Sequence, residues 1–160
     1  MYIGTHACLP LAIVSVIDIV RIQYRKDRLL NNIQYSLLAL GGVLPDFLWP
    51  HFNMHQRLTS WTHTFWFLVI FFPVVYVLSK WLIKKNVLKF TIIFWMAALL
   101  HIFADAISGG VSFFYPFGKV MGSYVISHHS WITYDIILIC LTVSLIFLRH
   151  VARKTRYQIN

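Results

Sequence analysis

The sequence contains no glutamate and only five aspartates among its 160 residues. Charged residues make up 12% of the chain, whereas 59% of the residues are hydrophobic and 17% are aromatic. The mean hydropathy is +0.69. Soluble domains contain about 25% charged residues. The composition therefore excludes an ordinary soluble protein and indicates an integral membrane protein.

Cysteine is scarce, and the first residues lack the basic region with which a secretory signal peptide begins. Cys8 and Cys140 both lie within apolar segments, so the sequence implies no disulfide partner. Residues 1–20 lack a basic beginning and contain His6 and Asp18, so we interpret them as part of a retained first helix. The chain also has no internal repeat and no low-complexity tract.

Positive charge is concentrated in three clusters. The formal net charge of +9 would suit nucleic-acid binding if it were spread over one face. Instead, 12 of the 14 lysines and arginines flank apolar runs, as Arg21, Arg25, Lys26 and Arg28, then Lys80, Lys84, Lys85 and Lys89, then Arg149, Arg153, Lys154 and Arg156. The positive-inside rule produces this placement. We therefore expect the membrane bilayer, and no nucleic acid, as a partner.

Five apolar segments alternate with these clusters, and they cover residues 7–22, 33–44, 61–83, 90–107 and 131–148. The second is shorter than the roughly 20 residues of a full span. Gly41-Gly42 interrupts it and Pro45-Asp46 ends it, so it is tilted, half-spanning or re-entrant. If it crosses, all three clusters face the cytoplasm, the N-terminus lies outside and the C-terminus lies inside.

The predicted fold class is therefore an all-α, polytopic helical membrane protein of about five membrane segments. We expect a single membrane-embedded domain over residues 1–160, in which 149–160 form a basic cytoplasmic tail.

Histidine and aspartate collect at one side under this topology. Seven of the eight histidines and three of the five aspartates fall near the outer face, namely His6, His51, His55, His63, His101, His128, His129, Asp46, Asp105 and Asp135. A chance distribution would divide them more evenly, so the convergence indicates a site. We expect Asp18 and Asp27, on the other side, to be snorkelled or paired at the interface.

The pair His101 and Asp105 ends the fourth segment. Four residues separate them, so they lie on one face of a helix, one turn apart. A carboxylate is costly in lipid, and a metal ion is a partner that suits both groups. His6, Asp46 and His63 complete the predicted metal centre. Imidazole and carboxylate ligands suit Zn, with Mn or Fe as alternatives, better than Mg or Ca, and they could hold one or two ions.

Each of these residues also has a purely structural interpretation. His101 and Asp105 could be a buried hydrogen-bonded pair that fixes helix packing, and Asp46 could cap a turn after Pro45. His63 could be an interfacial residue beside Trp61.

Five further polar residues are secondary candidates. His128 and His129 are adjacent, so we expect only one of them to face the site, where it could protonate a leaving group. Asp135 either joins the site or pairs with a neighbouring helix. Arg57 and Lys119 are the only lysines or arginines expected at the outer face, which makes them candidates for holding a phosphate.

An aromatic stretch, Phe113-Phe114-Tyr115-Pro116-Phe117, follows a pair of glycines. It is either an interfacial loop that dips into lipid or a wall for an acyl chain.

An ordered set of short motifs resembles the YdjM-like family of inner-membrane metal-dependent hydrolases, also described as LexA-binding hydrolases. The matches cover roughly residues 1–120 and comprise His6, Leu44-Pro45-Asp46, Thr62-His63-Thr64, His101 with Asp105, Gly109-Gly110 and Tyr115-Pro116-Phe117. Two positions depart from the family pattern. Leu48 stands where the family often has a second aspartate, and Leu58-Thr59 stand where it often has His-Arg.

The resemblance implies a distant kinship with the zinc-dependent phospholipase C and P1 nuclease group. That kinship implies a helical core in which Asp46, His63, His101 and Asp105 ligate one metal and His6 lies at a neighbouring one. The missing family residues imply fewer metals, a different metal or a degenerate site.

The function predicted from these features is a membrane-bound metal-dependent hydrolase. It would act on a phosphoester or related bond of a lipid or lipid-linked substrate at the outer face, with Asp46 or Asp105 orienting the attacking water. The alternative is a non-enzymatic metal-binding membrane protein, either a transporter or a structural partner. A regulator that binds LexA is implied only by the family's name.

Overall fold

The computed structural model describes residues 3–24, 27–50, 54–83, 85–122 and 130–158, and these residues form an all-α bundle. The helices are α1 (Ile3–Gln23), α2 (Asn32–Leu48), the short α3 (Met54–Leu58), α4 (Phe65–Leu82), α5 (Val87–Ile107) and α6 (Trp131–Gln158), with a 3-10 turn at Trp61–His63.

Helices α1 and α5 join the bundle together, because each packs against several other helices. Helix α1 packs against α6, α2 and α5, and α5 packs in turn against α2 and α4. The apolar contacts lie in two groups. One joins α1, α2 and α5 through residues such as Val14, Leu38 and Ala97, and the other joins α4 and α5 through residues such as Phe71 and Ile102. Because lipid tails are as apolar as these side chains, close packing stabilises the contacts more than exclusion from water does.

Among the residues that the structure describes, four helices are long and apolar enough to cross a membrane, over Gly4–Gln23, Phe65–Leu82, Val87–Ile107 and Trp131–Thr155. The second segment forms α2, which has 17 residues and is not among these four. The protein is therefore a helical membrane protein with four candidate spans and one shorter helix packed between α1 and α5.

The glycines and proline of α2 do not break it, contrary to the prediction. Gly41, Gly42 and Pro45 all lie within the helix, which continues to Leu48. Gly42 is needed for close packing, because a Cβ there would lie 1.9 Å from the backbone oxygen of His6 in α1. The glycine pair is thus a helix contact rather than a helix stop, and tertiary packing overrides its low helix propensity.

Three other helix boundaries differ from the prediction. Helix α1 begins at Ile3, so His6 lies inside its first turns rather than before it. Helix α6 runs to Gln158, so most of the predicted basic tail is helical. Helix α4 begins only at Phe65, where the side chain of Thr64 accepts a hydrogen bond from the Phe67 amide and caps the helix.

An ion pair joins α1 to α6 at the end of the bundle remote from His6. The Asp18 carboxylate accepts hydrogen bonds from Arg149 Nε at 2.8 Å and from the Leu29 amide at 2.6 Å. Asp18 is 0% exposed. It is therefore paired, as predicted, but inside the bundle rather than snorkelled at the interface. Asp27 is exposed.

Candidate metal centre

The centre begins with the helical pair of α5. His101 and Asp105 lie one turn apart and are each 1% exposed. His101 Nε2 lies 3.6 Å from Asp105 Oδ2. The predicted geometry of this pair is therefore present at the end of α5.

Two other elements bring ligands to the same point. His63, in the 3-10 turn before α4, places Nε2 3.1 Å from Asp105 Oδ2 and 3.1 Å from His101 Nε2. Asp46, near the end of α2, places Oδ1 3.3 Å from the Nε2 atoms of both histidines. One ligand atom from each of Asp46, His63, His101 and Asp105 lies within 4.8 Å of the others.

The spacing of these four atoms suits a tetrahedral metal ion. Five of the distances between them lie between 3.1 and 3.6 Å. A tetrahedron with metal–ligand bonds of 2.0–2.1 Å has edges of about 3.3 Å. Two nitrogens and two carboxylate oxygens are also a donor set that Zn accepts. The four residues therefore fit a divalent metal ion.

Hydrogen bonds on the outer side of each histidine orient its ring. His101 Nδ1 donates to the Gly42 backbone oxygen at 2.7 Å, which leaves Nε2 as the acceptor that faces the centre. His63 Nδ1 lies 3.1 Å from Ser60 Oγ and 3.2 Å from Thr62 Oγ1. Metal-binding histidines are typically held in this way by a partner on the second ring nitrogen.

His63 lies outside the candidate spans, and the carboxylates beside it change its pKa. Burial disfavours its charged form, but hydrogen bonds to Asp105 and Asp46 outweigh burial and raise the pKa of His63 above its ordinary value. A metal ion that binds the His63 ring would displace the proton that these carboxylates stabilise there.

His6 is next to the four residues but is not one of the group. Its Nε2 lies 3.4 Å from Asp105 Oδ1, and its ring centroid lies 3.8 Å from that of His101. Within the described part of the chain, neither ring nitrogen of His6 has a hydrogen-bond partner, and the residue is 1% exposed. Buried polar atoms without partners are costly. The position of His6 therefore suits a further ligand on the side of Asp105 that faces α1.

Arg57 is buried at the centre rather than exposed in a loop. Its Nη1 donates to Asp105 Oδ1 at 3.1 Å and its Nη2 to the Gly110 backbone oxygen at 3.3 Å. It is 4% exposed. The sequence predicted its side of the membrane but gave no sign that it would contact Asp105.

Two of the remaining candidates, Asp135 and Lys119, are not brought into this group. Asp135, at the start of α6, accepts a hydrogen bond from the Thr5 hydroxyl, so it pairs with a neighbouring helix. Lys119 is exposed. His128 and His129 lie outside the described residues. His55 is exposed.

The loop after α5 covers the side of the centre next to α4. Gly110, with φ of 94°, follows the end of α5, and Val111 pairs with Met121 through two backbone hydrogen bonds of 2.8 and 2.7 Å. The Phe65 amide donates to the Phe113 oxygen at 2.7 Å, two residues from His63. Phe114, Tyr115 and Phe117 are exposed in the loop.

Sequence reasoning missed the groups that support the histidines. The Gly42 carbonyl and the Ser60 hydroxyl carry no motif of their own. Thr62 precedes His63 in the Thr-His-Thr motif, and that position was the available signal for its role.

Comparison with known proteins identifies the family of this chain. The family described as YdjM inner membrane protein matches residues 1–159. No curated protein and no solved structure gives a significant match. The match extends over almost the whole chain, including α6, beyond the motifs that carried the resemblance. Together with the four apolar helices, it shows an integral inner membrane protein. The chain belongs to the YdjM family.

Proposed function

We propose that this protein is a membrane-bound, metal-dependent hydrolase that cleaves a phosphoester or related bond in a lipid or lipid-linked substrate. The observation that carries the proposal is the group formed by Asp46, His63, His101 and Asp105, which come from three separate elements and place their ligand atoms at metal-binding distances. Both histidines turn Nε2 toward the two carboxylates, as metal ligands do.

Asp46, His63, His101 and Asp105 would hold the metal, with zinc favoured by the two imidazoles, and His6 would bind it or a neighbouring ion. When bound, the metal would polarise a phosphoryl oxygen and lower the pKa of water toward about 7.

Asp46 is the residue best suited to accept a proton from the attacking water. Its side chain is 18% exposed, whereas those of His63, His101 and Asp105 are between 0% and 2% exposed. A substrate or water approaching from outside therefore meets Asp46 first. Asp105 is instead held by Arg57 and the histidines, which suits a structural ligand.

Arg57 would contribute positive charge beside the bound phosphoryl group. Its guanidinium is fixed in place by Asp105 and the Gly110 oxygen, so little side-chain entropy would be lost on substrate binding. Lys119 stays a prediction as a second phosphate contact, as do His128 and His129 as proton donors to the leaving group.

Two features support a lipid as the substrate. The ligands lie near the ends of α2 and α5 and before α4, which corresponds to the membrane surface rather than to its middle. The exposed Phe114 and Phe117 lie in the loop fixed beside His63 and could contact an acyl chain. We propose that this end faces outward and that the helices have a phospholipase C-like core.

The test is hydrolysis by purified protein in mixed micelles, with phosphatidylglycerol and phosphatidylethanolamine as substrates and mass spectrometry to detect released products. Protein loaded with Zn or Mn should cleave one of them, and chelated protein should not. Asp46→Asn should lower the rate by roughly 100-fold or more, as expected for loss of a general base. Asp27→Asn, the same change at an exposed aspartate, should leave the rate unchanged.

Equal rates for Asp46→Asn and wild type would overturn the assigned role of Asp46. A protein that binds metal at these residues but cleaves neither these lipids nor lipid-linked phosphoesters would be the non-enzymatic metal-binding protein of the alternative interpretation.

A further inference from the structure

A cavity lined largely by polar and basic residues lies at the opposite end of the bundle from the candidate metal centre. It measures about 450 Å³ and is lined chiefly by Asn32, Tyr35, Ser36, Arg149, His150 and Arg153. These residues come from the first turns of α2 and from the last third of α6. None of the described residues that line the cavity is a carboxylate.

The wall formed by α6 is basic along one helix face. Arg149, His150 and Arg153 are spaced i, i+1 and i+4, and all three line the cavity. Arg153 Nε is buried and has no hydrogen-bond partner in the part of the chain that the structure describes. A buried guanidinium nitrogen without an acceptor is costly, and an anionic oxygen is an acceptor that would satisfy it.

Contacts between side chains hold the floor of the cavity in place. Arg149 is held by Asp18 at 2.8 Å, and its Cζ lies 4.2 Å from the centre of the Tyr35 ring. The Tyr35 hydroxyl lies 2.5 Å from Ser15 Oγ. Asp18 offsets the charge of Arg149, so Arg153 supplies the main uncompensated positive charge on the wall.

The N-terminus of α2 contributes further positive potential. Asn32 is the first residue of that helix, and its side-chain oxygen accepts a hydrogen bond from Arg28 Nη1 at 2.7 Å. The beginning of a helix favours anions. The cavity thus combines a helix N-terminus with a basic wall at the end of the bundle where the basic clusters lie.

An apolar stripe leads from the cavity along α6. Ile146 lines the cavity, and Val143 and Ile139 follow at helical spacing, all exposed. An acyl chain could lie on this stripe while its headgroup occupies the cavity. Basic pockets between membrane helices bind anionic headgroups in this way.

We propose that this cavity binds a phosphate group, carried by an anionic phospholipid or present as free phosphate, independently of the proposed hydrolase activity. Arg153 would provide the principal contact, and Arg149 and the first turn of α2 would complete the site.

The experiment is a lipid titration of the detergent-purified full chain by native mass spectrometry. Phosphatidylglycerol should bind more tightly than phosphatidylcholine with the same acyl chains. Arg153→Ala should weaken phosphatidylglycerol binding roughly fivefold, the value of one basic side chain at a membrane surface. Lys154→Ala removes the same charge from the adjacent, exposed position and should leave binding unchanged.

A second arm measures thermal unfolding with inorganic phosphate in place of lipid. If phosphate alone stabilises wild type but not Arg153→Ala, the site takes free phosphate. If only the anionic lipid does so, the site takes a lipid headgroup. His150→Glu, at an exposed position, should weaken binding without disturbing the core, which keeps the test valid if Arg153→Ala does not fold. Equal losses in Arg153→Ala and Lys154→Ala, or equal binding of both lipids with no phosphate effect, would overturn the proposal.

Discussion

The hydroxyl groups behind His63 fix the direction of a ring that would otherwise rotate. Ser60 Oγ and Thr62 Oγ1 both lie within 3.2 Å of His63 Nδ1, and they lie 2.8 Å from each other. The opposite ring nitrogen is thereby aimed at Asp46 and Asp105. Outer partners of this kind tune metal affinity as much as they tune ring position.

Removal of both hydroxyls should weaken metal binding while keeping every ligand. We expect Ser60→Ala/Thr62→Val to lower zinc affinity by roughly 10- to 100-fold, measured by competition with a chromogenic chelator. Thr59→Ala, which removes an exposed hydroxyl one residue away, is the matched control and should bind zinc like wild type. Unchanged affinity in the double variant would mean that Ser60 and Thr62 do not orient a ligand.

The four candidate ligands could be picked out from the sequence, but the contacts that support them could not. A carboxylate or imidazole in an apolar helix is conspicuous, because burial without a partner is costly, and Asp46, His63, His101 and Asp105 all carry that signal. Arg57 carries the opposite signal, since it lies in a polar stretch between two apolar segments, where an arginine is expected to be exposed. Its contact with Asp105 joins residues 48 positions apart, which no local pattern encodes.

Among the helices, α2 shows most clearly how packing decides a local structure. Gly42 lies against the His6 backbone, and its own carbonyl holds His101. One residue thus joins α1, α2 and α5 beside the metal centre. The pattern Gly-Gly followed by Pro predicts an interrupted segment. That prediction was wrong because helix propensities describe a helix on its own and do not include the close approach of a neighbouring backbone.

A methyl group at position 42 should separate α1 from α2. We expect Gly42→Ala to destabilise the protein by about 1–3 kcal/mol or more, the cost of overpacking a close contact, and to reduce zinc binding because His6 and His101 would shift. Gly41→Ala, whose Cβ would lie 3.1 Å from Phe94, should be milder. Thermal unfolding in detergent measures both. A Gly42→Ala variant as stable as wild type would show that the helices can separate there without loss.

At the scale of the whole molecule, the basic clusters and the candidate metal centre lie at opposite ends of the bundle. The described lysines and arginines of the three basic clusters share the end where Asp18 meets Arg149, and the four candidate metal ligands share the other. Alternating apolar runs made this arrangement predictable. The ends of the helices were harder to predict. The basic residues after Leu148 are good helix formers, so α6 continues through them.

The orientation in the membrane is a prediction that labelling can test. In a background with Cys8 and Cys140 replaced by serine, His55→Cys should react with a membrane-impermeant maleimide from outside intact cells. Lys154→Cys should react only after the membrane is permeabilised, because the positive-inside rule places its end in the cytoplasm. Both positions are exposed, so neither is shielded by protein. The reverse labelling pattern would place the metal centre in the cytoplasm.

The metal content of the purified protein tests the central claim most directly. Elemental analysis of detergent-purified wild type, reconstituted with zinc, should give about one or two ions per chain, as the ligand count allows. His101→Ala/Asp105→Ala should lose that metal, whereas His55→Ala/Asp27→Ala, the same changes at exposed positions, should keep it. Size-exclusion profiles confirm that each protein is folded. A folded wild type that binds no zinc, manganese or iron would contradict the metal centre and leave Asp46, His63, His101 and Asp105 as a buried hydrogen-bonded network.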